Sequence, residues 1–139
     1  MKSFLNPLLR APGIEHVLEN ATTGEVVARH LLTAFDSKDR RQGLLGRDSL
    51  PESTAILIAP SNAVHTFFMR FAIDIAFVAR DGRVIKVRSS VPPWRIAVAV
   101  RAFAVVELAA GALARSRTGR GDTLICHAVP PPPDRSIAS

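Results

Sequence analysis

From residue 15 to residue 129, apolar and polar positions mostly alternate with a period of two, the spacing of strands that bury one face. His16–Asn20 and residues 25–32 flank Thr22-Thr23-Gly24 and predict a hairpin with a glycine-containing loop. Asp36 or Ser37 can cap a helix by accepting a backbone N–H, residues 38–45 tolerate helix, and Gly46 supplies a stop. One short helix is predicted there. Residues 55–59 form an apolar run closed by Pro60, and residues 66–71 are a further candidate strand. Residues 73–80 and 83–88 flank Asp81-Gly82, a pair suited to the positive φ angles of a two-residue type I′ turn. Val91-Pro92-Pro93-Trp94 breaks the alternation, and residues 96–100 resume it. Residues 103–108 are apolar on both faces apart from Glu107, which predicts an inner strand. Residues 109–117 suggest a helical turn, and residues 119–122 lead into a last strand over 123–129.

About seven short strands with one or two small helices predict a mainly β fold, a single-domain antiparallel barrel or sandwich over residues 15–129. Parallel βαβ units would need crossover helices between strands. Residues 1–14 and the proline-rich 130–139 differ in composition and are expected to be flexible ends. With 139 residues and 15.0 kDa, the chain is long enough to bury about 68% of its unfolded surface in one core. Its 47% hydrophobic content excludes a wholly disordered chain. The single cysteine, Cys126, has no internal disulfide partner and is expected to fill core. The apolar stretch near the N-terminus is interrupted by Asn6 and Pro7, and no apolar run approaches the ~20 residues of a membrane span. A cytoplasmic protein without a membrane partner is the expectation.

The net charge of +6 favours anionic partners. The arginines are nevertheless spread along the chain, from Arg10 to Arg120, without basic strands interleaved with aromatics, so nucleic-acid binding is not expected. His16, His30 and His127 lack the spacing of a metal motif, and neither a metal nor another cofactor is expected. No nucleophile elbow, phosphate-binding loop or dinucleotide fingerprint is present.

The segment from Val64 to Phe77 mixes large apolar and ionisable side chains most densely. Arg70 and Asp74 within it need counter-charges, backbone partners or water. They would form either a salt bridge that fixes strand register or the polar floor of an apolar pocket. Glu107, sharing a face with Phe103 and Val105, is either paired with Arg41 or Arg47 or has its pKa raised by desolvation. His65 would serve as a ligand-contacting donor, a general base, or a partly exposed side chain bonded to backbone. Trp94 would cap a groove or, more simply, plug one end of the fold.

Taken in order, GLLGR within residues 40–47, HTFFMRFAID at 65–74, Asp81-Gly82, Pro92-Pro93-Trp94, Val106-Glu107-Leu108 with Gly111, and Gly121-Asp122 resemble the domain of unknown function (DUF) 192 family over residues 25–127. Ala72 stands where that family usually has Pro, and Phe68 where many members have Trp. The resemblance implies a small, mainly β domain with no established activity, cofactor or partner. Its polar signature falls on Arg41, Arg47, His65, Asp74 and Glu107. The leading expectation is a small polar or anionic ligand bound in one pocket by Arg41, Arg47, His65, Arg70, Asp74 and Glu107. The alternatives are hydrolysis with His65 or Glu107 activating water, and a protein-interaction module using an exposed sheet edge at residues 96–100. Oligomeric state is not encoded in any of these features.

Overall fold

In the computed structural model, which describes residues 3–11, 13–36 and 46–129, the inner-strand pattern around Glu107 becomes the middle of a five-stranded sheet. The described elements run α1 (Asn6–Arg10), β1 (His16–Asn20), β2 (Glu25–Ala28), β3 (His30–Ala34), β4 (Thr54–Ile58), β5 (Ala63–His65), β6 (Ile73–Val78), β7 (Val84–Val91), β8 (Ile96–Val98), β9 (Ala104–Ala109), α2 (Ala112–Arg115) and β10 (Leu124–Ala128). Three sheets result, in the orders β10-β1-β2, β3-β4-β9-β6-β7 and β5-β8. The fold is mainly β, and no described sheet closes on itself.

At the centre of the five-stranded sheet both faces are buried, so β6 and β9 carry no exposed residue, whereas the edge strands β3 and β7 do. Ala55, Leu57, Ala76, Val78, Ala104, Val106 and Leu108 enter one core together with Leu18 and Leu124 of the three-stranded sheet. The alternate residues Ile56, Ile58, Ile73, Ile75, Phe77 and Val105 enter a second core with Leu50, Met69, Ala97 and Ala99. The strict period of two therefore sorts a continuous apolar run between two cores.

Several expectations are corrected. β3 pairs parallel to β4, with His30 opposite Thr54 and Ala34 opposite Ile58, so the fold is not wholly antiparallel. The 19 residues between them are long enough for the crossover that a parallel pair requires. The predicted strand at 25–32 breaks at Arg29, where the chain leaves one sheet for another. The β6–β7 hairpin turns through Arg80-Asp81-Gly82. Ala79 N–H donates to the Arg83 carbonyl, and of these residues only Gly82 has a positive φ, at 94°, so the loop is longer than a type I′ pair. Residues 66–71 are not a strand. β5 ends at His65, and the Thr66 hydroxyl, bonded to the Pro92 carbonyl at 2.7 Å, ties down a bend there.

The N-terminal segment does not stand apart: Phe4, Leu5 and Leu8 are buried in the first core. Pro7, read in the sequence as an interruption, sits in the first turn of α1, where a missing N–H breaks no helical bond. The helix predicted at 38–45 and the tail from residue 130 lie outside the described residues.

Candidate functional site

Asp74 and Glu107 lie one register step apart on neighbouring strands but on opposite faces. Asp74 is opposite Leu108, which belongs to the first core, and Glu107 is opposite Ile75, which belongs to the second. Asp74 is fully buried. Its Oδ1 accepts from Ser90 N–H at 2.8 Å, and its Oδ2 accepts from Gly111 N–H at 3.1 Å and Leu113 N–H at 3.0 Å. Gly111 and Leu113 open α2, so the carboxylate satisfies amides that a helix start leaves without partners. This places Asp74 in the scaffold that joins β6, β7 and α2.

Glu107 is only 3% exposed and is flanked across the sheet by Ile56 on β4 and Ile75 on β6. Its Oε2 has no hydrogen-bond partner among the described residues. Burial pushes its pKa up to about 7, because removal from water penalises the charged form. No pairing with Arg47 occurs, for Arg47 is exposed. Arg41 lies outside the described residues.

The other candidates sit elsewhere. Arg70 is exposed and its guanidinium pairs with Asp48, not with Asp74. His65 is exposed at the end of β5, its Nδ1 accepting from Phe67 N–H at 3.3 Å. The described members of the predicted set therefore do not gather around one hollow. A hollow of about 540 Å³ between α1 and β10 is lined by Ser3, Asn6, Arg10, Asp81, Cys126 and His127 among others, and by none of that set. Cys126 there is buried, with its thiol pushed up to about 12 by desolvation, so it is inert as a nucleophile at neutral pH.

What the structure does gather is an apolar surface on the small β5–β8 layer. Trp94 (56% exposed), Ile96 (61%), Val98 (42%) and Val100 (81%) project at every second position, while Ala97 and Ala99 between them are buried. Cross-strand pairing sets His65 beside Ile96 and Ala63 beside Val98 on the same face. At one end Phe68, 71% exposed, meets Trp94 edge to face at 4.7 Å, and Phe67 stacks on the same indole at 5.8 Å. Both Phe68 (φ 64°) and Trp94 (φ 68°) hold left-handed backbone. Bulky residues rarely adopt it, and the cost is about 1–3 kcal/mol each. Trp94 is thus not the plug expected from the sequence. Cationic groups border the surface: Arg95 and Arg101 are exposed between and beside the apolar residues, and Lys86 Nζ donates to the Val98 carbonyl at 2.9 Å. The alternation at 96–100 is the available signal; it carries no direction, and in the structure the small residues face inward and the large ones outward.

Among the described residues no helix is long and apolar enough to cross a membrane, and no group of three or more His, Cys, Asp or Glu side chains is arranged to hold a metal ion. The chain is similar in structure to a protein provisionally described as a transcription regulator from Sinorhizobium meliloti 1021. The two are 23% identical, with a TM-score of 0.68 over 80% of this chain and 91% of the other. It is also similar to a protein of unknown function from Novosphingobium aromaticivorans DSM 12444, 22% identical with a TM-score of 0.68 over 79% of this chain and 82% of the other. Identities this low speak to the fold alone. No curated protein matches the chain. A family model, described as uncharacterized ACR, matches residues 18–126, beginning one strand earlier than the resemblance read from the motifs. With well over half its length covered by that model, the chain belongs to the DUF192 family.

Proposed function

We propose that this domain is a protein-interaction module whose docking surface is the face formed by Phe68, Trp94, Ile96, Val98 and Val100. The observation that carries the proposal is the pair Phe68 and Trp94. Two large aromatic side chains are turned toward water on left-handed backbone, where relaxed backbone and burial would both be more stable. Contiguous apolar surface of this kind, bordered by polar groups, is the usual mark of a contact with another molecule. In this proposal the layers stack as a sandwich rather than a barrel, which leaves the outer layer free to receive a partner.

Recognition runs through the side-chain face of β8 rather than through its edge. The strand is only three residues long, and its Val98 carbonyl already accepts the Lys86 ammonium. Short strands and edge lysines are features that discourage edge pairing. Hydrolysis has less support: Glu107 is buried between Ile56 and Ile75, and the exposed His65 uses its Nδ1 to accept from Phe67 N–H. A small anion held by all six predicted residues has less support too, because Asp74 and Glu107 face different cores.

Site-specific photo-cross-linking in the source cell tests the proposal, with benzoylphenylalanine placed at Ile96 or Val98 and, as a control, at Val26 on the far sheet. Adducts with a discrete protein from positions 96 and 98 but not from 26 are expected. Equal labelling from all three positions, or none from 96 and 98, would sink it.

A further inference from the structure

β10 is an edge of the three-stranded sheet, and its ladder to β1 decides which of its backbone groups are spare. Ala21 N–H donates to the Thr123 carbonyl and Val129 N–H to the Glu15 carbonyl, each at 2.8 Å, so Ile125 and His127 between them bond inward to β1. Leu124 and Cys126 turn their N–H and C=O to the open edge. Leu124 spends its N–H on the Gly82 carbonyl at 2.8 Å. Cys126, the next outward residue, lines the hollow of about 540 Å³ beside α1, and its backbone groups on that side have no partner among the described residues. A hollow of that size falls within the ~300–1,000 Å³ of small-ligand sites.

Opposite charges stand at the two ends of the hollow. Phe4 N–H donates to the Arg80 carbonyl at 2.8 Å, which sets the start of the N-terminal segment beside Asp81 and the beginning of β10. The Pro7 carbonyl lies 3.1 Å from His16 Nε2, and His16 stands opposite Ala128, so α1 follows β10 in the same direction. Asp81 therefore lines the near end and Arg10 the far end. A helical rise of about 1.5 Å per residue from Phe4 to Arg10 separates the two ends by ~9 Å. Asp81 Oδ1 accepts from Arg83 N–H at 3.0 Å, which leaves Oδ2 as an acceptor. At the far end His127 Nε2 lies 3.3 Å from a Glu19 carboxylate oxygen, and Arg10 is the permanent cation.

We infer that this hollow binds a free tripeptide, extended and parallel to β10, with its ammonium at Asp81 and its carboxylate at Arg10. In that register Cys126 N–H donates to the carbonyl of the first ligand residue, and the Cys126 carbonyl accepts from the N–H of the third. Three extended residues at about 3.3 Å each match the separation of the two charges. Antiparallel pairing would set the carboxylate against Asp81 and the ammonium against Arg10. A longer peptide or a protein terminus satisfies one end only, so the two charges select length as well as direction. The site is separate from the β8 face, and neither proposal depends on the other.

The experiment titrates the full, nitrogen-15-labelled chain with trialanine and follows its amide resonances. Saturable shifts centred on Cys126, Asp81 and Arg10 are expected. Two comparators divide the recognition: N-acetyl-trialanine amide keeps the backbone and loses both charges, and 8-aminooctanoate keeps both charges at the same bond separation and loses the amides. Each should bind at least about tenfold more weakly than trialanine. Arg10→Ala and Asp81→Asn should each weaken trialanine about fivefold, the upper range for exposed ion pairs. Asn at 81 keeps a carbonyl for the Arg83 N–H, both positions are exposed, and the dispersion of the amide spectrum verifies that each variant folds. No saturable shift at Cys126, equal affinity for either comparator, or undiminished binding by both variants would each overturn the inference.

Discussion

Two carboxyl side chains on adjacent strands of one sheet, Asp74 and Glu107, have opposite surroundings. Asp74 looks into the core that the three-stranded sheet, α1 and α2 cover, and meets three backbone N–H groups there. Glu107 looks into the core that the β5–β8 layer covers, and its Oε2 meets none among the described residues. A helix start supplies orphan amides that a buried carboxylate can satisfy, whereas sheet backbone has already used its own. The side with α2 is therefore locked by polar bonds, and the other side is held by apolar packing around an acid that costs stability whenever it ionises. The docking surface proposed above lies on that second, less firmly tied side.

The largest way to break this comparison is to remove the lock. Asp74→Ala leaves the Leu113 N–H buried without an acceptor and weakens the tie to Ser90 and Gly111. With donors of this kind costing about 1–3 kcal/mol each, a loss of about 4 kcal/mol is expected. Asp74→Asn keeps one carbonyl acceptor but turns an amide donor toward one of the N–H groups, and should lose about half as much. Urea unfolding at pH 7 measures both. A loss below about 1 kcal/mol for the alanine variant would mean that these amides are satisfied another way.

Glu107 gives a pH-dependent effect of slightly smaller size. Its pKa in the folded chain is raised to about 7 from the ordinary 4.5, so the unfolded chain releases this proton first. Below about pH 4.5 the carboxyl is neutral in both states and costs nothing through ionisation. As pH rises, the unfolded state gains from ionising and stability falls, by about 3 kcal/mol near pH 7 and little further above pH 8. Glu107→Gln removes the titration while keeping the shape. It should match the wild type near pH 4 and exceed it by about 3 kcal/mol at pH 8 in urea midpoints compared pH by pH. A gap that stays constant with pH would show that Glu107 carries its charge without penalty and has found a partner.

Much of this architecture was legible in the sequence, for physical reasons that also mark where legibility stops. The run at 103–108 could be read as an inner strand, and 73–80 as one arm of a hairpin, because local period and composition encode burial and turns directly. Asp74 and Glu107 could be singled out because an ion in such a run always needs an account. Their separation onto two faces was not legible, since it depends on which residue of β6 stands opposite which residue of β9, and that register is set by the whole sheet. The parallel β3–β4 pair escaped for the same reason. Phe68 and Trp94 escaped because positive φ is expected at Gly or Asn, and no local preference announces it in an aromatic residue. For Ile96, Val98 and Val100 the alternation was visible, but alternation alone does not say which of the two faces meets water.

The smallest expected effect sharpens the comparison most, because it separates stability from binding on the exposed face. Phe68 makes an edge contact with Trp94 worth about 0.5–1.5 kcal/mol, but its left-handed backbone costs about as much or slightly more. Asn tolerates that backbone best among residues with a side chain other than Gly. Phe68→Asn should therefore unfold at a urea concentration equal to the wild type, or higher by up to about 1 kcal/mol of stability, while cross-linking from residue 96 disappears. Loss of more than about 1 kcal/mol would make Phe68 a packing residue whose exposure is incidental. Unchanged cross-linking with unchanged stability would remove the aromatic pair from the docking surface and leave Ile96, Val98 and Val100 to carry it. Only the expected combination fits a side chain kept in a strained position for the sake of another molecule, the reverse of Asp74, whose every contact is spent within its own fold.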